Sequence, residues 1–152
     1  MGVERGERTI RIAAPARACF EALLDFESYP EWQESVKETR ILERDREGRG
    51  SLVETVVDAR VRTVRYVLRY AYEPFTRISW DYVEGDLRSV EGDYRFAEHD
   101  GGTDVTYRLG VDVGGLGRFV PGEVKRRAAE HMMRTAVEDL RARVEGPDSS
   151  EV

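Results

Sequence analysis

One cysteine, two histidines and no long apolar run bound what this chain can be. A lone Cys19 excludes an intramolecular disulfide framework and fits a reducing cytosol, so a cytoplasmic protein is expected. The histidines, His99 and His131, are far apart in sequence. No His-Glu-x-x-His, Cys-x-x-Cys or paired-histidine spacing occurs, so neither a metal nor another cofactor is expected. There is no Gly-x-Ser-x-Gly elbow to present a hydrolase nucleophile. Gly114-Gly115-Leu116-Gly117 lacks the Gly-Lys-Ser/Thr and the strand–helix context of a phosphate loop. No apolar segment is long enough to span a bilayer, and none follows the charged start (Glu4, Arg5, Glu7, Arg8), so no secretory leader is expected. A net charge of −6 argues against a nucleic-acid surface as the main partner.

What is present is a chain of 152 residues, 40% hydrophobic and 36% charged. That suits one soluble globular domain, expected over residues 8–145, with 146–152 as a disordered tail. Thr9–Ala13 reads as a short strand. Pro15 opens a helix whose stripe is Cys19, Phe20, Leu23 and Leu24, and Asp25–Trp32 reads as a second helical piece. The period then changes to two. Strands are expected at Val36–Arg44, Ser51–Ala59, Thr63–Tyr72, Arg77–Val83, Leu87–Ala97 and Thr103–Val113, with hairpin signals at Gly85-Asp86 and Asp100-Gly101-Gly102. Short turns between consecutive strands require an antiparallel sheet. Pro121–Val144 is one unbroken helix with the apolar row Val124, Ala128, Met132, Ala136 and Leu140, broadened by Met133, Val137 and Val144. A curved sheet and one long amphipathic helix must bury their apolar faces on each other, so the class is α+β.

Strand parity sorts the side chains. Tyr66, Leu68, Tyr70 and Tyr72 oppose Arg65, Val67 and Arg69. Ile78, Trp80 and Tyr82 oppose Arg77 and Asp81. Val90, Tyr94 and Phe96 oppose Glu91, Asp93 and Arg95. Val105, Tyr107 and Leu109 oppose Asp104 and Arg108. Six of the seven tyrosines thus share the face taken as inner. A closed core favours Leu, Ile, Val and Phe, because a buried phenol needs a partner for its O–H. Any one of these tyrosines is well explained by core packing with its hydroxyl at the rim. The set as a whole fits an apolar cavity with polar handles. Met132 and Met133 face the same interior, where methionine adapts to irregular space. Lys125-Arg126-Arg127 reads as a solvated basic patch that could also meet an anionic head group or, transiently, a membrane surface. The carboxylates Asp81, Glu84, Asp86, Glu91 and Asp93 read as a solvated outer face.

With this layout in place, Ile10-Arg11-Ile12-Ala13-Ala14-Pro15, Phe20, Asp25, Tyr29-Pro30-Glu31-Trp32, Glu91-Gly92-Asp93-Tyr94-Arg95-Phe96 and Gly102-Thr103-Asp104-Val105-Thr106-Tyr107 follow in an order that resembles the START-related (SRPBCC) superfamily. More specifically, the chain resembles its polyketide cyclase/dehydrase and coenzyme Q-binding branch. The resemblance implies a helix-grip fold: about seven antiparallel strands wrapped on a long C-terminal helix, with two short helices after the first strand. It also implies a deep cavity for a lipid, an isoprenoid quinone or an aromatic polyketide. In aromatase/cyclase members it implies an arginine inside the cavity, on the strand matching Ser51–Ala59. Here that strand reads Val53-Glu54-Thr55-Val56-Val57-Asp58, and Arg60 lies at its end.

The expected function is to bind or carry a hydrophobic small molecule. The alternatives are a polyketide cyclase/dehydratase and a protein-interaction module with a collapsed pocket. The expected wall is Trp32, Tyr66, Tyr70, Trp80, Tyr82, Tyr94, Tyr107 and Met132, with Gly115 and Gly117 as a gate.

Overall fold

The computed structural model describes residues 3–58, 62–117 and 120–146. The chain runs β1 (Val3–Ile12), α1 (Ala16–Leu24), a 3-10 turn (Phe26–Ser28), α2 (Tyr29–Trp32), β2 (Val36–Arg44), β3 (Gly50–Asp58), β4 (Thr63–Glu73), β5 (Arg77–Gly85), β6 (Ser89–His99), β7 (Gly102–Asp112), a second 3-10 turn (Gly114–Gly117) and α3 (Gly122–Glu145). The sheet order is β1-β7-β6-β5-β4-β3-β2, and every pairing is antiparallel. Of the expected tail, residues 146–152, Gly146 is described and closes the chain's last helix, while 147–152 lie outside the described residues, as does Arg60.

Turn chemistry sets the meander. Asp100 (φ 50°) and Gly101 (φ 78°) close the β6–β7 hairpin as its two central residues, the left-handed pair that an Asp-Gly turn favours. Between β2 and β3, Asp45 accepts the N–H groups of Glu47 and Arg49 on one carboxylate oxygen, and Gly48 takes φ 85°.

β1 is longer than the apolar pattern predicts. Its first half is polar, yet it pairs residue for residue with β7 from Val3↔Asp112 to Ile12↔Thr103. The ladder needs only backbone groups, so a charged segment at a sheet edge can be a strand without announcing itself by hydrophobicity.

The register gives the sheet two ends. The starts of β1, β4 and β6 and the finishes of β3, β5 and β7 lie at one end. At the other end α1 plugs the hollow of the sheet. Ile12, Cys19, Phe20, Leu23, Phe96, Val105 and Leu140 form the dry core there. Burial pushes the Cys19 thiol up to about 11, so it acts as a small apolar filler. Carboxylates from distant elements hold this segment by its backbone. Glu98 accepts the Ala16 N–H at 2.8 Å, Glu145 the Ala13 N–H at 2.9 Å and Asp139 the Glu34 N–H at 2.8 Å.

α3 has 24 residues, about 36 Å at 1.5 Å per residue, and spans the sheet from its open end to its plugged end. Its dry stripe is Met133, Ala136, Val137 and Leu140. Gly6 lets it approach β1, since a Cβ there would stand 2.8 Å from Met133 Sδ. The predicted row holds only in the C-terminal half. Met132 and Ala128 are half-buried and Val124 is 43% exposed, because the N-terminal half of α3 covers a space rather than a packed layer.

Strand parity holds, with two departures. Val67, on the outer face, is 1% exposed between its register neighbours Glu54 and Glu84. Asp93, expected to be solvated, is 3% exposed, its Oδ2 accepting from Arg77 at 2.9 Å and Arg95 at 3.1 Å while its Oδ1 is buried without a partner among the described residues.

Candidate functional site

A cavity of about 410 Å³ lies between the inner face of the sheet and the N-terminal half of α3. β3 contributes Thr55 and Val57, β4 Tyr66, Leu68 and Tyr70, β5 Ile78 and Trp80, β6 Val90 and Tyr94, and β7 Tyr107, Leu109 and Val111. α3 roofs it with Ala128, Ala129 and Met132. The interior is therefore open, and the expectation of a collapsed pocket does not match this geometry.

The floor is aromatic. Trp80 lies 6.0 Å from Tyr70, 5.6 Å from Tyr94 and 5.8 Å from Tyr107, and Tyr94 and Tyr107 stack at 4.6 Å. Gly92 makes this possible. It pairs with Trp80 across β5 and β6, and a Cβ on it would come within 2.9 Å of the indole.

Of the eight residues expected on the wall, six are there: Tyr66, Tyr70, Trp80, Tyr94, Tyr107 and Met132. Trp32 and Tyr82 lie off it. The Tyr82 hydroxyl donates to the Leu87 carbonyl at 2.6 Å, which ties it to its own hairpin. Trp32 packs its ring edge-on against Tyr29 at 5.3 Å, which places Tyr29, not Trp32, on the wall. The sequence reading missed Thr55, Gln33, Tyr29 and the two cations Arg62 and Lys125. The Val53-Thr55-Val57 alternation carried a signal for Thr55. Gln33, a buried polar residue just past α2, left none.

The hydroxyls divide into two sets. Tyr29 donates to the Leu23 carbonyl and Tyr72 to the Gly50 carbonyl, each at 2.5 Å. Those of Tyr66, Tyr70 and Tyr107 bond to no other described residue. Burial pushes the Tyr66 phenol up to about 12. It also raises Tyr70 and Tyr107 well above the ordinary tyrosine value, with neighbouring phenols adding to the effect. Burial also raises Tyr94, against the Gln33 side chain beside it, which favours the ionised form. All are neutral donors at ordinary pH, with O–H groups available to an acceptor oxygen.

Neither histidine is on the wall. His99 sits in an exposed cluster with Arg11, Asp100 and Asp104, and the Asp104 carboxylate raises its pKa. His131 is half-buried on α3 beside Arg134. Among the described residues no three His, Cys, Asp or Glu side chains form a group able to hold a metal. No helix among them is long and apolar enough to cross a membrane. A shallower furrow of about 690 Å³ on the outer face is lined by charged groups that pair with one another, such as Arg5 with Glu91 at 2.6 Å. The stretch expected to gate the cavity is the second 3-10 turn. Gly114 has φ 60°, whereas a Cβ at Gly115 would meet nothing within 4 Å.

A curved antiparallel sheet gripping one long helix around an apolar cavity defines the helix-grip class. Over residues 4–145 the chain matches the family described as polyketide cyclase/dehydrase and lipid transport, and it belongs to that family. It is similar to a START superfamily protein from Mycobacterium smegmatis, at 24% identity and TM-score 0.82, covering 93% of this chain and 97% of that one. The aromatase/cyclase Zhui from Streptomyces sp. R1128 is similar at 20% identity and TM-score 0.76, with 94% of each chain covered. Ginseng major latex-like protein 151 from Panax ginseng is similar at 12% identity and TM-score 0.70, covering 95% and 99%. At these identities the likeness is one of fold. No curated protein matches the sequence closely enough to count as a relative.

Proposed function

We propose that this protein binds and carries a compact apolar molecule bearing oxygen acceptors, such as an aromatic polyketide or a quinone head group. The observation that carries this reading is the trio of neutral phenols, Tyr66, Tyr70 and Tyr107, with no hydrogen-bond partner among the described residues, on the wall of an otherwise apolar cavity. Folding buries a phenol more cheaply when its O–H is bonded, so three that find no acceptor among the described residues around a cavity favour a ligand that supplies one. About 410 Å³ is at the small end of ligand pockets, which run from roughly 300 to 1,000 Å³. A long isoprenoid tail would have to trail out of the open end.

The second reading, a polyketide cyclase/dehydratase, draws on the same phenols, which could polarise a carbonyl. Among the described wall residues, however, there is no imidazole, and the carboxylate present is Glu4 at the open end. A proton abstraction deep in the cavity would lack a strong base, so carriage is the better-supported activity.

Burying about 300 Å² of apolar ligand surface gives roughly 7 kcal/mol gross at about 25 cal/mol per Å². Ordering costs leave micromolar affinity as the expected result. The test is titration with long-chain lipids, naphthoquinones and aromatic polyketides, read by Trp80 emission in a Trp32→Phe background. Unchanged emission for all three classes would sink the proposal. Turnover of a poly-β-keto substrate would favour the enzyme instead. The 114–117 turn is the proposed gate. Gly115→Ala, which has room for its methyl group, should slow ligand exchange in stopped-flow measurements and leave the fold intact.

A further inference from the structure

The sheet register and the roof helix bring two cations to the open end of the cavity: Arg62, just before β4, and Lys125, in the first turn of α3. Lys125 belongs to the run Lys125-Arg126-Arg127, which the structure sorts. Arg126 pairs with Glu123 at 3.8 Å and Glu130 at 3.6 Å, and Arg127 pairs with Glu123 at 2.9 Å. Those two are neutralised along the helix flank. Lys125 is half-buried on the cavity side and forms no ion pair with a described residue. Arg62 likewise forms none. Glu4 shares this rim and bridges to neither. The chain as a whole is acidic, at −6, so two cations without an ion-pair partner among the described residues, at the edge of an apolar cavity, are not part of a general positive surface.

We propose that the ligand is an amphiphilic anion whose single carboxylate or phosphate head sits between Arg62 and Lys125 at the open end, while its apolar body lies on the Trp80 floor. This rests on the carrier reading and narrows it from any compact apolar molecule to an anionic one. The fit follows from the gradient along the cavity: dry and aromatic at depth, neutral donors part-way, and cations at the rim. A carboxylate or phosphate entering head-last keeps its charge in the wet rim, where desolvation is least costly and the two cations face it.

The test uses two fluorescent probes that share an apolar body and differ in charge. These are 1-anilinonaphthalene-8-sulfonate, an anion, and neutral N-phenyl-1-naphthylamine, titrated into the full-length protein. Ala128→Trp, which fills the space under α3, controls for binding elsewhere and should abolish both signals. The anion is expected to bind about five- to tenfold more tightly at low salt, and this preference should shrink as ionic strength rises. The double variant Arg62→Gln, Lys125→Gln should weaken the anion far more than the neutral probe and bring the two to equal affinity. Both positions are exposed or half-buried, so the fold should survive. Dodecanoate and dodecyl phosphate should displace the anionic probe better than dodecanol. The stronger of the two acids then identifies the head group. Equal affinity of both probes in the unaltered protein, or a preference that persists in the double variant, overturns the anionic ligand and leaves the carrier reading standing. Binding of neither probe in the cavity overturns both.

Discussion

A phenol hydroxyl in this protein has either a carbonyl or a cavity in front of it, and the two situations predict opposite mutational outcomes. Tyr29 and Tyr72 donate to the Leu23 and Gly50 carbonyls, so Tyr29→Phe or Tyr72→Phe should cost about 1 kcal/mol of stability in denaturant unfolding and barely change ligand affinity. Tyr66, Tyr70 and Tyr107 have no such bond among the described residues, so their Phe variants should be neutral or slightly stabilising. Each should nonetheless weaken a carbonyl-bearing ligand by roughly 0.5–1.5 kcal/mol, read by titration. If the two groups behave alike, the hydroxyls have been assigned to the wrong sides. Arg69, exposed on the outer face and 4.0 Å from Glu43, is the control position, and Arg69→Ala should alter neither quantity.

At the scale of elements, α3 does two jobs along one length. Its C-terminal half is core and its N-terminal half is roof. Met133→Asp would bury a charge against β1 at a site 6% exposed and should cost several kcal/mol, enough to unfold much of the population in a thermal melt. Met132→Asp, one residue away but on the cavity wall, can hydrate its carboxylate through the cavity. It should lower ligand affinity while leaving most of the melting temperature in place. Equal destabilisation by the two would mean that the roof is packed rather than open. Glu98 is an element-scale device too. It lies on β6 and caps α1 through the Ala16 N–H, so Glu98→Ala should cost about 1 kcal/mol, the usual loss for a helix N-terminal partner.

For the whole molecule, the buried phenols set an alkaline limit. Their folded-state pKa values lie above the unfolded value near 10, so the folded state holds protons that the unfolded state releases. Their contribution is complete below pH 10 and falls away as pH rises through about 12, where Tyr66 ionises. Stability should be flat up to about pH 10 and then drop. Phenolate absorbance at 295 nm should rise together with unfolding rather than as a separate step near pH 10. The same molecule separates what local chain geometry dictates from what folding adds. Period-two alternation is a local steric consequence of strand geometry, so the sequence alone determined the seven strands, the face carrying Tyr66, Tyr70, Trp80, Tyr94 and Tyr107, and the long closing helix. It was silent about the polar half of β1, whose pairing with β7 uses backbone groups alone. Only the tertiary structure decided that Tyr82 and Trp32 turn away while Tyr29, Gln33, Arg62 and Lys125 reach the cavity. Only there did it emerge that the apolar row of α3 is half core and half roof. The physical reason is range. A side chain's face is set by its own strand, but whether it meets a carbonyl, a neighbouring ring or open space is set by residues dozens of positions away, brought together only by folding.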